Sequence, residues 1–323
     1  MRISVVITTF NHERFIERCI ESIKQQTIFK ECELIIFDDC SIDGTLERIY
    51  TSIGNCKKVN VKQHKQNVGM RQNFSEAINS ASCDFIAYLD GDDYLIKNDK
   101  LEKDLNFLNE KDDRNFVFSP ALIEKDGILT KKIRDKYIIW KDEVSIKWLS
   151  RKGGGFYPTS SVFFRRRIID RLPPNYWLLN EQYDLPLALA ALLYGKKIHY
   201  RSEVSTVYRV HHASVSNKKK TKFQEARRLL LRCKKNIDYV EMLRQNNFVD
   251  DTLAQYLVNW EKFSCFSRLL DIGFWFSSIK RAFFKVNGSF KYLIILKYLI
   301  RSPLSIFCIF ILLLLSGNYF ISG

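Results

Sequence analysis

Short strand-like runs alternate with amphipathic stretches over the first 110 residues of the chain. The run at residues 3–8 is rich in β-branched residues and those at 34–37 and 85–89 are apolar, as buried strands are, and residues 59–64 also fit a strand. The stretches between and after them carry apolar residues at helical spacing, and they occupy residues 13–25, 46–53, 69–80 and 100–108. Strands that alternate with helices over short connections predict an α/β fold with a doubly wound, mostly parallel sheet.

Polar clusters follow three of these predicted strands at the point where each strand ends. TTFNHE follows the first strand, DDCS the second and DGDD the fourth. In doubly wound sheets, ligands bind beyond the carboxyl ends of the strands. The three clusters therefore predict one ligand site at that edge of the sheet.

The second half of the chain has a less regular pattern. It predicts a helix at 185–194 that Gly195 ends, and a basic helix at 218–239. Short strands are predicted at residues 160–164, 196–200 and 204–210.

The last 35 residues are the most apolar part of the sequence. Residues 304–315 are apolar apart from Ser305, and as a helix they would rise about 18 Å, short of the ~20 residues that span a bilayer. Counting on to residue 321 reaches spanning length but includes the polar stretch 316–318. The pattern favours a helix in the membrane interface over a full span, with a buried core helix as a third reading. Basic residues before it would hold the preceding chain at the cytoplasmic face of the inner or plasma membrane.

Charge and cysteine content limit the location and the partners. The formal net charge is +15, which fits nucleic acid, an anionic membrane or phosphorylated substrates and does not decide among them. The eight cysteines form no CxxC pair and no Cys/His cluster, a pattern typical of free thiols in a reducing compartment. The first apolar run is too short for a signal peptide, so we expect the active part to be cytosolic.

The acidic turn DGDD is the strongest chemical signal. Asp90, Asp92 and Asp93 would repel one another unless a cation neutralised them. Hard divalent cations such as Mg²⁺ or Mn²⁺ prefer oxygen ligands and share them with substrate phosphates. The turn therefore predicts a site for a metal ion and a diphosphate, and the competing interpretation is a solvated acidic turn that caps the next helix.

A second acidic pair follows the second predicted strand. Asp38 or Asp39 would accept a hydrogen bond from a base N–H or a ribose hydroxyl. Asp43, further along the same loop, is predicted to cap the helix that begins at residues 44–45.

The ordered set of segments resembles the family 2 glycosyltransferases, which have the GT-A fold. The resemblance rests on ISVVITTFNHERFIERCIESIKQQT, ELIIFDDCSIDGT, NVGMRQNF and FIAYLDGDD, in that order and spacing, and it covers roughly residues 1–215. It implies a catalytic domain at 1–215, with a nucleotide-binding half at 1–110 and an acceptor half at 111–215. A helical basic extension at 216–290 and a membrane-associating tail at 291–323 would follow.

The resemblance also implies roles for individual residues. It assigns Asp90 and Asp92 to the ribose and the metal, and Arg71 to the donor phosphates, although Arg71 is offset from the family's Ala-Arg-Asn pattern. It places Thr8, Thr9 and Glu13 in the nucleotide pocket. Asp38 or Asp39 would contact the nucleotide's base. Many members have proline where this chain has Thr8, a change that the pocket tolerates.

The catalytic base is expected in the second half of the chain. DLPL resembles the family's GDxPL form, in which an acidic residue opens a helix, and this makes Asp184 the general base. Glu181 is the alternative, because aligning it with the family's ED form puts Gln182 where the second acid belongs. The competing interpretation of Asp184 is a helix N-cap without a catalytic role.

A further segment, YRVHHASVS, resembles the family's YRxHxxSxS. By that resemblance His211 would ligate the metal or stabilise diphosphate charge, and Arg209 would do the latter. A pair of surface histidines, His211 and His212, is the competing interpretation. The hydroxyls of residues 159–161 fit a family segment near the acceptor.

Together these features predict an inverting glycosyltransferase that depends on Mg²⁺ or Mn²⁺. The expected donor is a nucleotide-diphosphate sugar, most often a UDP-sugar in this family, and the expected acceptor is a glycan or lipid-linked hydroxyl at a membrane surface. The product would be a cell-surface polysaccharide or glycolipid, and nucleic acid is not expected as a partner. Two alternatives stay open: a catalytically silent relative that binds sugar nucleotides, and a basic nucleic-acid-binding protein. A nucleotidyltransferase is disfavoured because TTFNHERF lacks the glycine-rich, arginine-containing loop of that class.

Overall fold

The computed structural model describes two compact units of the chain. One comprises Met1–Lys219 with Met242–Val249, and the other comprises Lys220–Glu241 with Asp250–Gly323. The residues described are 2–134, 143–144, 156–170, 172, 176–177, 183–195, 197–212, 222–245, 249–252, 254–255, 257–259 and 261. Within these ranges no helix is both long and apolar enough to cross a bilayer. The apolar tail predicted at 291–323 lies outside them.

Twelve strands and six α-helices make up the described structure. The strands are β1 (Ile3–Thr9), β2 (Cys32–Asp38), β3 (Val59–Gln63), β4 (Phe85–Asp90), β5 (Tyr94–Leu95), β6 (Phe116–Phe118), β7 (Ala121–Lys125), β8 (Ile128–Arg134), β9 (Glu143–Val144), β10 (Phe163–Arg165), β11 (Ile198–Tyr200) and β12 (Thr206–Val210). The helices are α1 (Ile16–Lys24), α2 (Thr45–Ile53), α3 (Met70–Asn79), α4 (Lys100–Asn109), α5 (Asp184–Gly195) and α6 (Lys222–Gln245).

The predicted alternation of strands and helices is confirmed from β1 to α4. Apart from β5, which was not predicted, each of these elements lies within a few residues of its predicted bounds. α1 begins at Ile16, three residues later than predicted, because residues 13–15 form a turn. The predicted helices at 185–194 and 218–239 are confirmed as α5 and α6.

The main sheet is mostly parallel, as predicted, but it includes two antiparallel strands. Its order is β3-β2-β1-β4-β10-β6-β11-β9. β1 to β4 are parallel, but β10 runs antiparallel between β4 and β6, and β9 runs antiparallel to β11. β6, β10 and β11 are three-residue strands, and such short apolar runs carry no signal for direction, which the connections set.

A second, four-stranded sheet was not predicted. Its order is β5-β12-β7-β8, and only β12 was expected as a strand. β5 has two residues, and β8 presents exposed lysines and exposed apolar side chains together, so neither shows a clear period-two pattern. The strand predicted at 160–164 is a 3₁₀ turn (Thr159–Ser161) followed by β10.

The core of the first unit is built from β1 and the helix that follows it. All seven residues of β1 are buried, as expected for a central strand covered on both faces. α1 contributes Ile16, Cys19, Ile20 and Ile23, each with no exposed surface, at the spacing of one helix face. Burying each isoleucine contributes roughly 1.5–3 kcal/mol.

The strand register brings the predicted polar residues to one edge of the sheet. β1 pairs in parallel with both β2 and β4. Thr9 lies opposite Asp38, and Thr8 lies opposite Asp90. The carboxyl ends of the three central strands are therefore level, and the loops that leave them meet there.

Candidate functional site

Asp90, the last residue of β4, is enclosed by hydroxyl groups. The phenol groups of Tyr88 and Tyr183 each donate to Oδ1 at 2.7 Å. Thr159 donates to Oδ2 at 2.8 Å, and Ser160 lies 3.4 Å from the same atom. Burial and the neighbouring Asp92 charge raise the pKa of Asp90. This carboxylate joins β4 to the 3₁₀ turn and to the residue before α5.

Asp93 is fully buried on the other side of the same turn. It accepts hydrogen bonds from Ser160 Oγ at 2.5 Å and from the backbone N–H of Arg209 at 2.9 Å. Burial, followed by the charges of Asp92 and Asp90, raises the pKa of Asp93 well above its usual value. Asp93 thus ties the acidic turn to β12.

Asp92 is the acidic residue of the turn that faces two histidines. Its Oδ2 lies 3.1 Å from His211 Nε2 and 3.9 Å from His12 Nε2. One ligand atom from each of the three residues lies within 4.8 Å of the other two. Burial opposes the charged form of Asp92, but the hydrogen bond from His211 and the nearby His12 bring its pKa below the usual value. We call these three residues the His–Asp–His cluster.

The cluster forms because the acidic turn passes very close to the loop after β1. A Cβ atom at Gly91 would lie 2.8 Å from Thr9 Oγ1 and 3.1 Å from His12 Nδ1. In that loop Asn11 has a positive φ of 54°, a conformation that asparagine adopts more easily than most residues. The backbone N–H of His12 donates to Thr45 Oγ1 at 2.8 Å. The position of His12 is therefore fixed from both sides.

Arg209 of β12 lies beside the acidic turn. Its Nε donates to Glu124 Oε1 at 2.7 Å, and a terminal nitrogen donates to the Asp92 carbonyl at 3.0 Å. Its guanidinium carbon lies 4.5 Å from the centre of the Tyr94 ring and 5.3 Å from that of Phe15. The side chain is almost fully buried, so its observed contacts hold the turn in place.

The two aspartates after β2 shape the neighbouring loops. The Asp38 carboxylate accepts hydrogen bonds from the Ser41 N–H at 2.9 Å and from Gln63 at 3.0 Å. Asp39 accepts from the N–H groups of Val68 at 2.7 Å and Gly69 at 3.0 Å. Burial raises the pKa of Asp39 despite these two hydrogen bonds.

The other residues assigned to the nucleotide pocket lie at the same edge. Thr8 Oγ1 is 2.6 Å from the Tyr88 hydroxyl. Glu13 is exposed and accepts from the Gly44 N–H at 3.3 Å, at the start of α2. The predicted cap by Asp43 is confirmed, since its carboxylate accepts from the first N–H of that helix at 3.1 Å. Arg71 lies half-buried in the first turn of α3.

Asp184, the predicted base, is the first residue of α5. Its Oδ1 accepts from the Leu185 N–H at 2.8 Å, and its carbonyl accepts from the Tyr157 hydroxyl at 2.5 Å. Tyr183, directly before it, donates to Asp90. The first turn of α5 is therefore tied to the acidic turn. Glu181, the alternative base, lies outside the described residues.

The sequence reasoning did not single out several residues that organise the site. No role was assigned to His12, Tyr88 or Tyr183. Thr159 was predicted to lie near the acceptor, and in the structure its hydroxyl donates a hydrogen bond to Asp90. Two signals were available: His12 lies inside the polar cluster after β1, and Tyr183 immediately precedes the predicted base.

A cavity of about 690 Å³ lies elsewhere in the fold and contains none of these residues. It is lined by residues between 107 and 114 and between 197 and 203. Its arginines already have acidic partners, because Arg114 pairs with Glu110 and Arg201 pairs with Asp104. We therefore place the candidate active site at the carboxyl edge of β1, β2 and β4.

Comparisons with known proteins agree with this fold. A β-1,3-glucosyltransferase of Campylobacter jejuni, named for GalNAc(5)-diNAcBac-PP-undecaprenol, is 29% identical over 216 residues, which are 65% of each chain. The Escherichia coli enzyme WfaP, a UDP-Glc:α-D-GlcNAc-diphosphoundecaprenol β-1,3-glucosyltransferase, is 29% identical over 67% of this chain and 80% of its own. The match to the Campylobacter protein thus leaves about a third of that protein's length uncovered.

Solved structures show the same fold at low sequence identity. TarS 1–349 of S. aureus, in complex with UDP-GlcNAc, is 18% identical with a TM-score of 0.59, over 90% of this chain and 78% of that one. This confirms the predicted GT-A-like architecture with its central sheet. The family described as Glycosyl transferase family 2 matches residues 4–172, a little over half of the chain. The chain belongs to glycosyl transferase family 2.

Proposed function

We propose that this protein transfers a sugar, with inversion, from a UDP-sugar to a hydroxyl group of a glycan linked to a lipid diphosphate. The reaction would take place at the cytoplasmic face of a membrane, in the synthesis of a cell-surface polysaccharide or glycolipid. One observation carries the proposal. The hydrogen bond from Tyr183 to Asp90 ties the first turn of α5, which begins with Asp184, to the turn that carries Asp92.

The donor set of the site fits a divalent cation. Asp92 and His211 present a carboxylate oxygen and an imidazole nitrogen 3.1 Å apart, and both are common ligands of Mn²⁺ and related ions. When bound there, the cation would neutralise charge on the leaving diphosphate. We assign Asp90 and Asp93 to holding Asp92 in position, because their oxygens accept hydrogen bonds from neighbouring elements.

The remaining assignments follow from position. Asp184 removes the proton of the acceptor hydroxyl as that oxygen attacks the anomeric carbon. Arg209 keeps the acidic turn against β12 rather than reaching the donor, because its guanidinium is bonded to Glu124 and to the Asp92 carbonyl. The donor pocket is assigned to the sheet edge formed by Thr8, Thr9, Glu13, Asp38, Asp39 and Arg71.

The names of relatives support the substrates. TarS has been solved with UDP-GlcNAc, and WfaP is named for UDP-Glc. The acceptors named for WfaP and for the Campylobacter enzyme are both diphosphoundecaprenol-linked sugars. UDP-glucose carries an α-linked sugar, so the β product in the WfaP name is that of inversion. A mannosyltransferase of the same fold from Pyrobaculum calidifontis, 11% identical with a TM-score of 0.50, has been solved with GDP-Man and Mn²⁺.

The test is nucleotide release by the full chain purified in mild detergent. UDP-, GDP- and dTDP-sugars are offered with and without Mn²⁺, and we expect UDP release that requires the metal. Asp92→Ala should abolish it, and Asp184→Asn should lower it by about 10²–10⁴-fold, the usual worth of a positioned base. Asp112→Asn is the control, since that carboxylate is 88% exposed and remote in sequence from the site.

Each outcome bears on a separate assignment. If Asp92→Ala loses nucleotide release and Asp184→Asn does not, the metal site is supported and the general base is a residue other than Asp184. Glu181 would then be tested next. A wild-type protein that neither binds nor cleaves any sugar nucleotide would contradict the proposed function. Binding without release in the wild type would identify the silent relative.

A further inference from the structure

His12 lies beside Asp92 and has no part in the proposed function. We propose that His12 is a third protein ligand of the metal ion, and that the two imidazoles and one carboxylate make the site select Mn²⁺ over Mg²⁺. This rests on the metal site of the proposed function and adds a ligand and a selectivity to it.

The distances within the His–Asp–His cluster suit a shared ion. With metal–ligand bonds of about 2.1 Å, two ligand atoms lie about 3 Å apart at a right angle and about 4 Å apart when opposed. Asp92 Oδ2 is 3.1 Å from His211 Nε2 and 3.9 Å from His12 Nε2. The third separation is within 4.8 Å. The two measured separations lie within the range for ligands of one ion, so the three side chains are close enough to share it.

The His12 ring is held with its Nε2 towards Asp92. His12 Nδ1 lies 3.1 Å from Thr9 Oγ1, while Nε2 is the atom nearest the carboxylate. An imidazole that ligates through Nε2 carries its proton on Nδ1 and needs an acceptor there. Thr9 supplies that acceptor, and Gly91 leaves room for it. The ring is thus oriented before any ion arrives.

The types of donor atom determine which metal ion the site prefers. Mg²⁺ takes oxygen ligands and keeps several waters, whereas imidazole suits transition metals. Two nitrogens and one oxygen from the protein therefore favour a transition-metal ion such as Mn²⁺ over Mg²⁺. The side chains of His12 and Asp92 are 18% and 17% exposed, so the cluster opens to solvent on one side, where diphosphate oxygens have access.

The alternative role for His12 is a charge or hydrogen-bond partner that only orients Asp92. The two roles differ in the number of nitrogen atoms bound to the ion, and pulsed EPR of bound Mn²⁺ reports that number from the couplings to ¹⁴N. The full chain is titrated with Mn²⁺ alone, without a donor. We expect two coordinated nitrogens in the wild type and one in His12→Ala.

Affinity gives a second, independent readout. His12→Ala should weaken Mn²⁺ binding at least about tenfold, and a smaller excess of Mg²⁺ should displace Mn²⁺ from the variant than from the wild type. His12→Gln, which keeps much of the ring's volume and polarity, should behave in the same way. His212→Ala is the matched control, because His212 is exposed, follows His211 directly and is not part of the cluster.

The outcomes separate this inference from the proposed function. A single coordinated nitrogen in the wild type, or unchanged Mn²⁺ affinity in both His12 variants, would overturn the role of His12 and leave the Asp92 site standing. Mn²⁺ binding that survives Asp92→Ala would instead contradict the metal site itself. If His12→Ala does not fold, the nitrogen count of the wild type and the His12→Gln titration still decide.

Discussion

One glycine sets how closely the acidic turn approaches the N-terminal strand. A Cβ at Gly91 would lie 2.8 Å from two atoms of Thr9, a buried residue at the end of β1 that has no room to yield. We therefore expect Gly91→Ala to push Asp92 away from His12. A shift of about 1 Å at a reacting site costs about 10²-fold in rate, and we predict a loss of that size in nucleotide release, measured together with Mn²⁺ affinity.

The control for this substitution is a glycine that is remote from the site and whose replacement lowers stability. Gly127, in the β7–β8 hairpin, has a φ of +82° and open space around it, so Gly127→Ala should cost about 1–2 kcal/mol of folding free energy. It should leave release and Mn²⁺ binding unchanged. Wild-type release and Mn²⁺ affinity in Gly91→Ala would show that the close approach has no functional importance.

At the residue scale, the sequence predicted which residues are candidates for the site but not which role each of them has. It named all three aspartates of the acidic turn as metal ligands. The structure directs only Asp92 towards histidines, because Tyr183, Ser160 and the Arg209 backbone occupy the other two carboxylates. Those partners come from β12, from the 3₁₀ turn and from the residue before α5, and no local pattern reveals such long-range pairing.

Among the elements, α4 carries an ionic contact inside its buried face. Lys100 Nζ lies 2.5 Å from Asp104 Oδ2, and both side chains are at most 4% exposed. Asp104 also binds Arg201 at 2.7 Å, and Lys100 donates to the Ser161 carbonyl. This network links α4 to the chain segments on either side of α5.

Removing the shared carboxylate should cost more than removing either cation. Asp104→Ala removes the acidic partner of the buried Lys100 ammonium, whereas Arg201 keeps its longer pair with Glu203. We predict a loss of about 3–5 kcal/mol in the free energy of unfolding. Lys100→Met should cost less, because methionine fills the space with apolar atoms and Asp104 keeps Arg201. Chemical denaturation of both variants tests this, with the exposed Lys103→Met as a control that should change little. Equal losses for Asp104→Ala and Lys100→Met would contradict the network.

The elements that could be predicted are those whose local pattern and tertiary environment agree. The elements from β1 to α4, apart from β5, follow from the local sequence pattern, since each strand is long enough to show a run and each helix buries one face. β5, β6 and β9 have too few residues for any period to appear. Their existence depends on pairing with neighbours that are distant in sequence, such as β6 with β10 and β11.

At the scale of the whole molecule, the order of weak motifs was more informative than any one of them. Each polar cluster alone fits a solvated turn, but three of them at the ends of the first, second and fourth strands predicted one shared edge, and the register brings those strand ends together. The same order predicted the family. The membrane association inferred from charge and tail remains a prediction, because residues 262–323 lie outside the described part of the chain.

That prediction has a direct test on the full chain. A formal net charge of +15 should attract the protein to anionic lipid, at about 1 kcal/mol for each basic residue near the surface. We expect sedimentation with vesicles of phosphatidylglycerol and phosphatidylcholine, weak sedimentation with phosphatidylcholine alone, and partial release as salt is raised above about 0.15 M, where screening lengths fall below about 8 Å. Release would stay partial because an inserted apolar tail does not respond to salt. Complete release, with equally tight and salt-sensitive binding to heparin, would favour the nucleic-acid alternative, since charge alone would then account for the attraction.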